Sequence, residues 1–255
     1  MSLYKTEGII LRSRNLGEAD KALTLYTREE GKVQVSAAGA RRARSPLAAA
    51  TQPFIHGFVL CFRGRGLDRL SQCEIREPFT GIREDLVKAA YGAYLAELTD
   101  EFTRERDRNP DLFLLLLATL HMLQAGAEPE VTARLFELRL LSLTGFRPEF
   151  ERCAGCGRAL GGGDAGRRAF SPAAGGVLCP ECAAVDESAL TVPAGAVESA
   201  RFLLTADLRK AVALKLAPTV ARALEQMLAE HIQHRLDKPL KTLAFLREVR
   251  DPGSV

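Results

Sequence analysis

An α+β fold, with an N-terminal OB-fold β-barrel followed by an α-helical domain carrying an inserted four-cysteine zinc module, is predicted by three features of the sequence. Five short segments of alternating or compact apolar character fill about the first 75 residues, the strand count of an OB barrel. From Gly81 the apolar period lengthens from two to about 3.6 residues. Two CxxC pairs then follow, 22 residues apart. These pattern changes place the barrel at 1–80, a first helical part at 81–149, the cysteine module at 150–184 and a second helical part at 185–250.

The first strand is expected at Gly8–Arg14, where Ile9, Ile10 and Leu11 form an apolar run between polar ends. Asn15 to Asp20 is turn chemistry, and Lys21–Thr27 alternates again. Glu29-Glu30-Gly31-Lys32 is a charged turn with glycine where a positive φ is needed. In the third strand Val33, Val35 and Ala37 face one way and Lys32, Gln34 and Ser36 the other. Ala38–Gln52 has room only for a short helix, shorter than the one many OB-folds place between strands three and four. A fourth strand is expected over Phe54–Arg63, with Phe54, Phe58 and Phe62 mostly in the core. The fifth spans Leu67–Ile75, with Leu67, Arg69, Ser71, Cys73 and Ile75 alternating against Asp68, Leu70, Gln72 and Glu74. Cys61 and Cys73 read as small core residues.

The third strand runs into Gly39-Ala40-Arg41-Arg42-Ala43-Arg44-Ser45-Pro46, a loop with three arginines in four positions and no acid. Such a loop either contacts polynucleotide phosphates or is simply solvated. The charge distribution favours contact. Residues 1–80 carry 13 Lys+Arg against 8 Asp+Glu, whereas residues 81–150 carry 8 against 12. A basic barrel beside an acidic body suits a phosphate-contacting face, although the whole chain is only +3. Candidate contacts are Arg12, Arg14, Lys21, Lys32, Arg41, Arg42, Arg44, Arg63 and Arg65. Aromatic stacking platforms are few, Tyr4 and Tyr26 being the main ones, and there is no tryptophan. Binding through phosphates, independent of base sequence and tolerant of single and double strands, is therefore expected.

Beyond the barrel, Leu86, Ala89, Ala90, Ala93, Tyr94 and Leu98 mark one face of a helix from about Ile82 to Thr103. Arg104–Asn109 is a charged linker, and Pro110 starts a helix that runs through Leu112–Gln124. Apolar on nearly all sides, it should be a central core helix. Gly126 ends it. Pro129 opens a third helix, closed by Thr144-Gly145. Later helices are expected at Gly195–Thr205, Pro218–Leu236 and Leu240–Val249, packed on Ile82–Leu143, with a frayed tail at Asp251–Val255.

Cys153, Cys156, Cys179 and Cys182 form two knuckles, each setting two thiolates for one metal. Four sulfurs complete a tetrahedron with no open position, so the module at 150–184 is expected to hold one structural zinc ion. A redox CxxC pair would sit in a βαβ setting, which is missing here. Gly161–Gly166 reads as a flexible tip, and Arg167 and Arg168 as an exposed turn in preference to a polynucleotide contact. His231 and His234, at i and i+3 with no third ligand nearby, are expected in solvent.

No Walker loop, HExxH or GxSxG is present, and a closed tetrathiolate leaves no position for deaminase chemistry. The chain is expected not to be an enzyme. An N-terminus without an apolar core and a longest apolar run of only Leu112–Leu120 predict a cytoplasmic protein with no membrane partner.

Four segments resemble the RecO family of bacterial DNA-repair proteins: EGIILRSRNLGEADKALTLYTREEGKVQVSAAGARRARS, FELRLLSLTGFRPEFERCAGCG, FSPAAGGVLCPEC and KPLKTLAFL, in this order. The resemblance runs over nearly the whole chain. It implies a recombination mediator, nucleoid-associated, that binds single- and double-stranded DNA and anneals strands. With RecR it would help load RecA onto single strands covered by SSB, docking on the acidic C-terminal tail of SSB. The residues alone leave an OB-plus-zinc RNA-binding protein of the ribosome or transcription apparatus nearly level with that reading. A nuclease or ligase accessory is a third alternative.

Overall fold

The structure, a computed structural model, describes residues 2–160 and 166–250. The predicted tail at 251–255, and all of the glycine-rich tip except Gly166, lie outside the described residues. The chain divides into two compact units, Met1–Gly126 with Lys241–Val255, and Ala127–Leu240. The pattern changes in the sequence and the contact units therefore cut the chain at different places.

In the first unit, β1 (Leu3–Leu16), β2 (Asp20–Thr27), β3 (Gly31–Ala37), β4 (His56–Phe62) and β5 (Asp68–Glu77) close a barrel in the order β1-β2-β3-β5-β4. Only β3 and β5 pair in parallel, through Val35↔Asp68 and Ser36↔Arg69. Strand β1 serves two partners. Its first half pairs with β4 and its second with β2, with a register shift between Ile10 and Arg12 that leaves Leu11 unpaired. The run Ile9, Ile10, Leu11 is apolar because both faces are buried there: Ile10 lies in the barrel core, while Ile9 and Leu11 are also nearly inaccessible. Gly31, at φ 64, makes the β2–β3 turn, and a Cβ there would lie 2.2 Å from the Asp107 carbonyl oxygen. Gly57 lets β4 approach β5, since its Cβ would meet the Glu74 carbonyl oxygen at 2.3 Å.

Three expectations for the barrel need correction. Strand β4 starts at His56, because Phe54 sits at φ 69 and exchanges backbone hydrogen bonds around Ile10 together with Ile55. In β4, Val59 and Cys61 point inward, so Phe58 and Phe62 face outward and are half-buried; only Phe54 is buried. In β5 the register skips Ser71 between Leu70 and Gln72, so Leu70 and Cys73 both reach the core. That bulge is why Leu67–Ile75 shows no clean apolar face. Burial pushes the Cys61 thiol up to about 12 and that of Cys73 up to about 11.

Helix α1 (Leu47–Ala50) is the short helix between strands three and four. The single helix expected from Ile82 is instead α2 (Thr80–Arg83) and α3 (Leu86–Phe102), separated where the Asp85 carboxylate caps the Lys88 N–H at 3.0 Å. Leu86 is consequently 63% exposed, and Tyr91 and Leu95 join Ala90, Tyr94 and Leu98 on the buried face. Helix α4 (Pro110–Gln124) begins at Pro110 as expected, and the Asn109 side chain, placed by sequence in the linker, caps it by accepting from the Leu112 N–H.

The second unit holds α5 (Pro129–Leu143), a three-stranded sheet of β6 (Arg167–Ser171), β7 (Gly176–Leu178) and β8 (Leu190–Pro193), and α6 (Pro180–Ala183). After these come α7 (Ala194–Thr205), α8 (Leu208–Val212) and α9 (Pro218–Gln233). Helices α7, α8 and α9 pack on α5. The last helix, α10 (Lys241–Arg250), belongs to the first unit and packs on α3. Buried Glu97 of α3 accepts from the Lys241 and Thr242 N–H groups and so caps the α10 N-terminus across the unit. Among the described residues, no helix is long and apolar enough to cross a membrane.

Candidate nucleic-acid interface and metal centre

Two loops form one rim of the barrel. The β1–β2 turn contains Gly17 at φ 61, and the β3–α1 loop carries the three arginines. They are stapled together by three hydrogen bonds. The Gly39 N–H donates to Asp20 Oδ1 at 2.7 Å, the Arg41 N–H to the Ala19 carbonyl at 2.9 Å, and Arg41 Nη1 to the Gly17 carbonyl at 2.9 Å. Arg42 and Arg44 stand exposed beyond the staple. Register brings two more cations to the same rim: Arg14 opposite Ala22, and Lys21 between Asn15 and Ala37. Among the described residues none of these five cations has a carboxylate partner, nor does Arg65 in the exposed β4–β5 loop. A fixed cluster of unneutralised charge at exposed loops is what a phosphate backbone requires.

The remaining candidates are engaged inside the first unit. Arg12 pairs with Asp100 of α3 at 2.9 Å, and Lys32 pairs with the same carboxylate at 3.0 Å while also donating to the Asp100 carbonyl. Arg63 pairs with Glu30 at 2.6 Å. The segment Arg104–Asn109, expected as a charged linker, is strapped to the barrel. Arg106, at φ 62, donates its N–H to the Lys32 carbonyl, and its guanidinium meets Glu30 and Asp68. Burial alone would raise the Asp68 carboxyl, but the Tyr4 hydroxyl, the Gly64 N–H and Arg106 together hold it below the usual range.

This network also settles which aromatic rings are accessible. The Tyr4 ring is covered by two guanidiniums, Arg63 at 4.9 Å and Arg106 at 5.5 Å from its centroid. Tyr26 is buried and donates its hydroxyl to the Asn109 carbonyl. Phe58, outward-facing, has Lys5 and Arg76 each 5.1 Å from its centroid. Sequence reasoning also passes over Arg69, which is exposed on β5 beside Ser36 and has no acid partner among the described residues. The signal is its place in an alternating strand, obscured by the bulge at Ser71.

In the second unit the four cysteine sulfurs lie within 4.8 Å of one another. Gly157 at φ 73 turns the first knuckle, and the Gly157 N–H closes on the Cys153 carbonyl. A Cβ on Gly155 would stand 3.1 Å from Cys182 Sγ, so glycine there lets the two knuckles close. Cys179 precedes α6, and Cys182 lies within it. The Cys179 N–H donates to Cys153 Sγ at 3.2 Å. Burial would raise the Cys153 thiol, but the N–H groups of Cys179, Cys156 and Gly155 outweigh it and bring it down to about 6. Four convergent sulfurs with N–H groups already favouring thiolate fit a four-coordinate soft cation with no open position. Arg158 and Glu181, 2.8 Å apart, join the two knuckles on the surface.

Two expectations in this unit are corrected. His231 is fully buried; its Nε2 is 3.0 Å from the Phe146 carbonyl oxygen and its ring stands edge-on to Phe170. Only His234, three residues on, is exposed. Arg167 and Arg168 lie in β6, not in a turn. A cavity of about 440 Å³ is lined by Arg147, Phe150, Arg201 and Phe202, with Arg201 ion-paired to both Glu151 and Glu198.

Comparison with known proteins adds two family models. One described as "Recombination protein O N terminal" matches residues 1–79, and one described as "Recombination protein O C terminal" matches residues 83–244. A DNA repair protein RecO of Symbiobacterium thermophilum is 45% identical over 251 residues, covering 98% of this chain and 99% of the relative. Another, from Pelotomaculum thermopropionicum, is 39% identical over 246 residues, covering 96% and 94%. A third, from Desulforamulus reducens, is 36% identical over 246 residues with the same coverage.

Proposed function

The chain belongs to the RecO family of DNA repair proteins, and from that premise we propose that it is a non-enzymatic recombination mediator. In this reading it binds single- and double-stranded DNA, anneals complementary strands and, with RecR, helps load RecA onto strands covered by SSB. The observation that carries the reading is the stapled rim, where Arg14, Lys21, Arg41, Arg42 and Arg44 stand without acid partners among the described residues. Annealing needs no fuel in such a protein. Two phosphate backbones held near one positive surface repel each other less, and their local concentration rises. Contact is assigned to these five residues and Arg65, while Arg12, Lys32 and Arg63 are already committed to Asp100 and Glu30.

Cys153, Cys156, Cys179 and Cys182 would hold one zinc ion, whose role is structural because four sulfurs leave no site for substrate. The acidic C-terminal tail of SSB needs an apolar pocket with a free basic rim. The cavity lined by Arg147 and Arg201 has apolar rings, but Glu149, Glu151 and Glu198 line it too and the last two pair with Arg201, so the tail is better sought elsewhere. The working compartment in this reading is the cytoplasm, at the nucleoid.

The test uses two complementary labelled strands coated with SSB, with annealing followed by fluorescence transfer and no nucleotide present. Rapid annealing that is lost when Arg41, Arg42 and Arg44 are all replaced by Gln is the expected result. Neither annealing nor binding to naked DNA at low salt would sink the reading, and preference for RNA in direct competition would redirect it to the ribosome alternative.

A further inference from the structure

The outer face of the barrel can be read in register rows. Leu23, Leu25, Val33, Val35 and Ala37 lie in the core, so the intervening Ala22, Thr24, Gln34 and Ser36 point outward. Pairing extends these positions across neighbouring strands. One row is Arg14–Ala22–Ser36–Arg69, crossing β1, β2, β3 and β5. The next is Arg12–Thr24–Gln34, and the third joins Tyr26 to Lys32. The first row spans roughly 14 Å, three inter-strand spacings, with buried Ala22 and half-buried Ser36 between two arginines. Both arginines are exposed and lack carboxylate partners among the described residues.

The adjoining rows have cations too, but both pair with a single carboxylate, so Arg12, Lys32 and Asp100 together carry +1 where two free cations would carry +2. Asp100 lies in the last turn of α3, 2.9 Å from Arg12 and 3.0 Å from Lys32. The negative end of the helix reinforces it, and Lys32 also donates to the Asp100 carbonyl. Arg12 keeps 54% of its side chain exposed, so geometry does not exclude it from contact with a phosphate; only its charge is answered.

We propose that Asp100 sets the edge of the DNA-contacting surface, confining the phosphate track to the row from Arg14 to Arg69 and to the basic loop beside it. The proposal rests on the DNA-binding reading and assigns Arg69 as a contact and Arg12 as a masked one. Asp100→Asn keeps the shape, removes the charge and lets the track spread onto Arg12.

The experiment measures the dependence of single-strand affinity on salt for the full chain. Each phosphate contact contributes about 0.7 to the slope of log affinity against log salt. Arg69→Gln flattens the slope by about 0.7, Asp100→Asn steepens it by about the same amount, and Arg12→Gln alone leaves it unchanged. In the Asp100→Asn background, Arg12→Gln returns the slope to its original value. An unchanged slope for Arg69→Gln, or a flatter one for Arg12→Gln alone, overturns the proposal. These two variants decide it even if Asp100→Asn folds poorly, because neither depends on that variant. If the unaltered protein binds no DNA, the underlying reading fails instead. If it binds, and the Arg41, Arg42, Arg44 substitution flattens the slope while Arg69→Gln does not, only the track is wrong.

Discussion

The barrel and the cysteine module are held together by different physics. Twelve buried residues, among them Ile10, Leu23, Leu25, Val33, Val35 and Val59, form the barrel core. The cluster around the cysteines has three among the described residues, and two of those are the thiols Cys153 and Cys179. Burial at about 25 cal/mol per Å² can sustain the first cluster, whereas the second is too small to offset the entropy of ordering two knuckles and a hairpin. A metal held by these cysteines would therefore be part of the fold, not an accessory to it.

The largest effect that sharpens this contrast is metal removal. Structural zinc in small modules carries an apparent binding free energy of about 10–16 kcal/mol at neutral pH. Chelation or Cys153→Ser is expected to abolish amide protection at Ala154 and Val177, which bond to the Val177 and Glu149 carbonyls. Protection in β1 and β2 should persist. Hydrogen exchange followed by mass spectrometry checks both, and retained protection around the knuckles after chelation would break the comparison.

The reverse experiment targets the barrel. Leu25 is wholly inaccessible, and Leu25→Ala leaves a cavity among Ile10, Val33 and Val59. A loss of roughly 3–5 kcal/mol is expected in the urea unfolding of the barrel. Exchange protection around the cysteines should be unaffected. A loss below about 1 kcal/mol would mean that the barrel depends less on its apolar core than on the Arg106 strap.

The two regions also differ in how they are written in the sequence. The cysteine knuckles are legible because each pair is local and its spacing already encodes the geometry. Most barrel strands are legible too, through alternation and through Gly31 at the β2–β3 turn. What escapes local pattern is anything decided by a distant partner. Arg12 and Arg14 look alike in the sequence, yet Arg12 meets Asp100 of α3 while Arg14 meets no acid among the described residues. The skipped Ser71 is invisible for a related reason. A bulge is fixed by pairing with β4, not by the residues of β5 alone. The outward turn of Phe58 and Phe62 follows from which side of β4 the barrel closes on, and an apolar run does not specify that side.

His231 shows the same limit in the second unit and supplies the smallest of these effects. Its spacing from His234 suggests two exposed side chains, but the ring is buried between the Phe146 carbonyl and Phe170. Burial pulls its pKa down to about 4 from 6.5; Arg235 and His234 act in the same direction, and only the hydrogen bond to Phe146 opposes them. The folded state therefore keeps this ring neutral while the unfolded state takes up a proton. Stability from this group is complete above about pH 6.5 and is lost as pH falls towards 4, by no more than about 3 kcal/mol. Protection of α9 amides should weaken between pH 7 and pH 5, and His231→Gln should reduce that dependence while retaining a donor for the Phe146 carbonyl. Because a zinc ion held by the four cysteines would contribute several times more than this histidine, the acid sensitivity of α9 should be resolvable only while that site is loaded. If chelation left the pH dependence of α9 unchanged, the module and the helices of its unit would be separate cooperative elements, and the contrast with the barrel would belong to the knuckles alone.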